Sequence, residues 1–233
     1  MTSETLPPDE HAHQNPAALA GLLTALAERA AGQLAGHPYY RALCDGSLPE
    51  VVYDHFAAQD ACYLLPSYGL SLARCASVVR SSRHAAFLCR MALQCLDNAA
   101  ADRAAPHLKA HGTPEASPTI VAYVNFLTAA TSCSPSAGIG AVLPTAWLQL
   151  LVADRLLAAR RPDSRYADDI VQSHPGELYR RWIDEFVGLV REVIEDASDA
   201  DRADLLRHFR TAVRYEYALL DSAWRLETWP AHR

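Results

Sequence analysis

Alternation of β-branched and polar residues, the mark of a half-buried strand, is almost missing from this chain of 233 residues, which argues against a sheet-based fold. Also missing is any cluster of basic residues interleaved with aromatics. With 21 Lys and Arg against 27 Asp and Glu and a net charge of -6, direct nucleic-acid binding is not expected. The opening MTSETLPPDEHAHQNP has neither the basic start nor the apolar run of a secretory leader, and no segment is an uninterrupted apolar run of about 20 residues. A cytoplasmic protein without membrane association is the expectation. The six cysteines form no C-x-x-C pair and no zinc spacing, so they read as reduced core thiols, and neither a metal nor another cofactor is expected. Internal repeats are lacking too, and half of the residues are hydrophobic, enough for one sizeable core. A single domain over 16–233 behind a loose tail at 1–15 follows.

What the chain does have is long Ala/Leu/Arg-rich stretches with apolar residues three and four apart. They predict an all-α bundle of about seven helices, near 16–35, 49–78, 82–111, 118–132, 137–160, 176–196 and 198–226. Gly46, Ser47 and Pro49 break the chain before the second helix, Gly112 and the prolines of HGTPEASP before the fourth, and CSPSAGIG before the fifth. Pro66 should kink the second helix. The polar run RRPDSRYADDIVQSHPGE reads as a long connection.

Inside such a bundle, polar residues on inward faces are the informative ones. Tyr53, Phe56, Ala57, Asp60, Tyr63 and Leu64 recur at helical spacing and put the Asp60 carboxylate in an apolar stripe. Phe209, Ala212, Val213, Glu216, Tyr217, Leu220 and Trp224 do the same for Glu216. A buried carboxylate needs hydrogen bonds, a cation or a proton, and an amine or amidine ligand supplies the cation. Tyr63, Tyr123 and Tyr215 add phenols for an aromatic pocket with a wet end. In AVLPTAWLQL, 141–150, Thr145 and Gln149 stack four apart on one face of a helix that is otherwise apolar.

Five stretches in order, HPYYRALCDGSLPEVVYDHFAAQDACYLL, SPTIVAYVNFL, AVLPTAWLQLLVADRL, YRRWIDEF and FRTAVRYEYALLDSAW, resemble the TenA/thiaminase II family with its haem-oxygenase-like bundle. The resemblance implies a deep pocket that holds an aminopyrimidine. It also implies that Asp60 contacts the amidine side of the ring, that Tyr63 and Tyr123 line it, and that Glu216 is the acid/base. Where the family has L-P-C-x-W-L-Y, this chain has Thr145 in place of the nucleophilic Cys and Gln149 in place of the Tyr; the Tyr of W-I-x-x-Y is Phe186. Family members are commonly tetramers, so a homo-oligomer, tetramer or dimer, is expected, with room for a pathway enzyme as partner.

A threonine without a strong base nearby cannot replace a thiolate, and Cys62 points about 200° away from Asp60 along the helix. The expected activity is therefore carboxylate acid/base chemistry on a small amine-bearing substrate. It forms or cleaves a C–N bond, for instance by ring closure in specialised metabolism, with Thr145, Gln149, Phe186 and Tyr215 among the substrate contacts. The alternatives are an aminopyrimidine or thiamin-salvage hydrolase and a non-catalytic binding protein. A dimetal site at Asp204 and His208 would need further ligands, and Asp97, Asp102, His107 and His111 lack the matching spacing.

Overall fold

A computed structural model describes residues 12–104, 114–173 and 176–230. Most helices begin at a side-chain cap, often with a proline just inside the first turn. Asn15 Oδ1 accepts from the backbone of Ala17 and Ala18 to start α1 (Pro16–Ala35). His37 Nδ1 accepts from Tyr39 N to start α2 (Pro38–Asp45), which stops at Gly46, where φ is 83°. Next come α3 (Glu50–Gln59), a π turn (Asp60–Leu64), α4 (Leu65–Val78) and α5 (Ser82–Ala104). The Ser-Pro pairs at 117 and 134 cap α6 (Pro118–Cys133) and α7 (Pro135–Ala159). The chain closes with α8 (Ala167–Ser173), α9 (Gly176–Asp196) and α10 (Asp199–Trp224), the last capped by Ser198.

The all-helical, haem-oxygenase-like expectation holds. With α3, the π turn and α4 taken as one rod, the described residues form nine α-helices rather than about seven. The two extra ones, α2 and α8, are eight and seven residues long; such short pieces show too few turns for a periodic signal. The second of them lies in the stretch expected to be a polar connection. The end of the third expected helix, with His107 and His111, lies outside the described residues. So does the tail over 1–11, whereas Ala12–Gln14 form a 3-10 turn whose His13 carbonyl accepts from Arg202 Nε at 2.7 Å. That part of the expected loose tail is therefore tied down.

The bundle is built around α7, which packs on α10, α1, α6, α9 and α4. Its length and mean hydropathy of 1.5 would suffice to cross a membrane, but 78% of that window is buried against its neighbours. The crossing with α10 is closest at Gly140, where a Cβ would lie 2.3 Å from the Leu205 carbonyl oxygen. Backbone cannot yield as a side-chain tip can. Gly140→Ala is expected to lower stability by about 1–3 kcal/mol, read as a fall of roughly 2–10 °C in Tm for a chain of this size; an unchanged Tm would mean that the crossing is not tight.

The kink expected at Pro66 takes the form of the π turn just before it. Leu65 N–H bonds to the Asp60 carbonyl, five residues back. Pro66, one step on, has no N–H to give to Ala61 O in the same register. Arg103 Nη1 fills that vacancy at 2.9 Å. A π turn inside an α-helix is a frequent marker of functional sites, and here it starts at Asp60.

Candidate active site

A cavity of about 840 Å3 opens between α2, α3, α4, α5, α7, α8, α9 and α10. Asp60, from the π turn, and Glu216, from α10, both line it, as does Thr145 from α7. The two carboxylates expected to point inward share one space. Gln149, one turn beyond Thr145, sits at the exposed rim of the same wall. The polar pair of the apolar helix thus faces the cavity.

Tyr123 is fully buried behind this wall. Its hydroxyl donates to Glu216 Oε1 at 2.5 Å and lies 2.9 Å from Thr145 Oγ1. The phenol has a single proton, and with that committed to Glu216 the Thr145 hydroxyl is left to donate. Burial raises the Glu216 pKa above the ordinary carboxylate value, and the Tyr123 and Thr145 hydroxyls offset only part of that rise. Asp60 has no hydrogen-bond donor among the described residues, and burial together with the charges of Glu216 and Asp102 pushes its carboxyl up to about 7. Two carboxylates in one cavity therefore differ in kind: Glu216 is furnished to carry charge, Asp60 to carry a proton. The Tyr40 phenol, also on the wall, is raised by burial first and then by both carboxylates, and stays a donor.

Other expected contacts lie off the wall, each for a physical reason. More residues per turn in the π segment leave Tyr63 short of the Asp60 face. Its hydroxyl instead donates to the Pro114 carbonyl. Gln59 clamps the same loop, donating to Glu115 O at 2.8 Å and accepting from Ser117 N at 3.0 Å. Together they position the start of α6, and so Tyr123. Tyr215 stacks on Tyr123 at 4.9 Å with an interplanar angle of 7°, which makes it a backing ring. Phe186 is fully buried against Phe87 in the core between α9 and α5, and has no polar atom to offer a substrate. In the α10 stripe, Tyr217 and Trp224 are exposed by 45% and 38%, so the inward face is narrower than the sequence suggested.

Besides Tyr40, the cavity residues Tyr179 and Cys95, and Gln59 off the cavity wall, were not singled out from the sequence. Tyr179 of α9 reaches across to α7, its hydroxyl 2.9 Å from Gln149 Oε1 and 3.1 Å from Ala146 O. Gln59 could have been noticed as the polar residue beside Asp60. Cys95 lines the cavity as well, and its thiol is pushed up to about 12 by burial and the Asp60 charge; the i,i+4 pair Met91 and Cys95 was the available signal. A thiol so raised is a poor nucleophile. Cys62 does not line the cavity among the described residues. At the other candidate centre His208 Nδ1 lies 2.8 Å from Asp204 O, and Arg207 pairs with the Asp204 carboxylate.

Residues 25–226 match the TENA/THI-4/PQQC family. An aminopyrimidine aminohydrolase of Bacillus subtilis is 25% identical over 202 residues, covering 83% of this chain and 84% of the relative. A thiamine biosynthesis multifunctional protein, ThiED, of Corynebacterium glutamicum is 28% identical over 78% of this chain, which spans only 24% of that relative's length. Among solved structures, a TenA homologue from Pyrococcus furiosus superposes with a TM-score of 0.79 at 11% identity, over 88% of this chain and 99% of the other. A TenA homologue from P. horikoshii gives 0.63 at 22% identity, over 89% and 98%.

Proposed function

This chain belongs to the TENA/THI-4/PQQC family, and from that premise and its cavity we propose that it cleaves a C–N bond of an aminopyrimidine-like substrate by adding water. The observation that carries the proposal is the Thr145, Tyr123, Glu216 cluster sharing a cavity with an Asp60 whose carboxyl is pushed up to about 7. The name of the Bacillus relative supports the substrate class and the hydrolytic direction. The bond-forming alternative draws only on the substitutions at Thr145 and Gln149, and nothing in the relatives' names speaks for it.

Asp60 meets the amidine edge of the ring, transfers its proton to a ring nitrogen and remains as the paired carboxylate. Protonating the ring draws electrons from the carbon that bears the leaving amine. Glu216 takes a proton from water as the water oxygen bonds to that carbon. The C–N electron pair leaves with the nitrogen, which receives the proton from Glu216. Thr145 and Tyr123 orient the carboxylate throughout, and no covalent bond to the protein forms.

Incubation with aminomethylpyrimidine in isotopically labelled water tests the scheme. The expected result is a hydroxymethyl product carrying one labelled oxygen, with no mass adduct on the protein. An adduct, on Cys95 above all, or no turnover by folded protein, would overturn it.

A further inference from the structure

Tyr123 of α6 and Glu216 of α10 join their helices at one point. A second junction lies one turn earlier in α6, and it is made by the chain that follows α10. Past Trp224 the backbone turns back on itself: Leu226 N–H bonds to Ala223 O at 3.0 Å and Glu227 N–H to Ser222 O at 2.9 Å, with φ at Leu226 of 52°. Such a helix end usually has glycine at the left-handed position, and a branched side chain there is disfavoured. Contacts further along the chain offset that cost.

Glu227 Oε2 accepts from Thr119 N at 3.0 Å, and Trp229 Nε1 donates to Ala116 O at 2.8 Å. The Thr119 N–H is among the donors that a helix start leaves without an intrahelical partner, and a carboxylate there also meets the positive end of the helix dipole. Gln59 and Tyr63 grip the loop ahead of α6; Glu227 grips the helix itself. Tyr123 stands four residues after Thr119, one turn on and on the same face. Both Glu227 and Trp229 lie past residue 226, the last that matches the family.

Resting on Glu216 as the base, we infer that Glu227 and Trp229 are positioning residues for the reaction: through the first turn of α6 they keep the Tyr123 hydroxyl on the Glu216 carboxylate. That hydroxyl is one of two that offset the rise which burial imposes on Glu216. Without it the base holds its proton to higher pH. The sign separates placement from charge, because removing the negative charge of Glu227 can by itself only lower the pKa of another carboxyl. Around Glu216 stand Asp60, Tyr40, Tyr68 and Tyr179, and beside Glu227 stands His55; substituting Glu227 alters none of these side chains.

Carbon-13 NMR titration of the Glu216 carboxyl, identified by its loss in Glu216→Gln, tests the inference beside steady-state kinetics with aminomethylpyrimidine. In Glu227→Ala the titration should move to higher pH and kcat should fall about three- to tenfold, the worth of about one hydrogen bond, with a smaller change in KM. Glu227→Gln keeps an oxygen for the Thr119 N–H and should restore most of that loss. Trp229→Phe removes only the bond to Ala116 O and should move both readouts the same way by less, which keeps the test open should Glu227→Ala fold poorly. Tyr123→Phe should raise the Glu216 titration as well, and Glu227→Ala added to it should raise it no further, since the bond it guards is already gone. A Glu216 titration that stays or falls in folded Glu227→Ala and Trp229→Phe, no rescue by glutamine, or effects that add to Tyr123→Phe would each overturn the inference. If folded wild type turns nothing over, the hydrolase reading fails on its own, and the titration still decides whether Glu227 holds Tyr123 on Glu216.

Discussion

Glu216→Gln is expected to lower kcat by about 10²- to 10⁴-fold, the range of a positioned general base. Glutamine keeps the size and the oxygen that accepts from Tyr123, so the hydrogen-bond cluster and the cavity shape survive. What it loses is the capacity to hold water's proton. Because that capacity matters as charge develops in the reaction, KM should change much less than kcat. Tyr123→Phe should act in the same direction but less, since it removes a hydrogen bond that holds the Glu216 pKa down. Steady-state turnover beside a thermal melt of each variant decides the matter. A fall of less than tenfold for Glu216→Gln, in protein as stable as the wild type, would assign the base elsewhere.

The helices and the two carboxylates were legible in the sequence because a 3.6-residue period writes them out. Asp60 interrupts one apolar stripe and Glu216 another, and two helical stripes that both face a core must meet. The match of the expected 176–196 helix with α9 shows how far caps and period go when the helix is long. Period fails where the backbone departs from it. The π turn at Asp60–Leu64 moved Tyr63 off the wall and onto the Pro114 carbonyl, and no residue type announces such a turn except Pro66, two residues beyond it. Nor can a period say how deep a residue sits. Phe186 and Tyr215 face inward as expected, yet one fills the core and the other backs Tyr123. Tyr179 and Cys95 were hidden for the converse reason: an ordinary aromatic or thiol on an apolar face becomes a cavity residue only when the neighbouring helices stand apart.

Asp60→Asn is expected to stabilise the protein at high pH while disabling it. The Asp60 carboxyl has its pKa pushed up to about 7, against about 4 in an unfolded chain. Between those values the folded state holds a proton that the unfolded state has released. Stability contributed by this site therefore falls as pH rises from about 4 to about 7, and the full penalty persists above 7. Three pH units correspond to at most about 4 kcal/mol, so the uncharged asparagine should gain about 2–4 kcal/mol over wild type at pH 8 and little at pH 4. Urea unfolding at the two pH values measures the difference; an equal effect at both would show that Asp60 is ionised and partnered in the free protein. Substrate affinity should move the other way, by about 2–5 kcal/mol, because asparagine cannot pair with the charged amidine edge. A residue whose removal strengthens the fold and weakens binding is under strain that the ligand relieves. Such opposed effects would separate a working cavity from a merely polar core, in which the same substitution would leave ligand affinity unchanged.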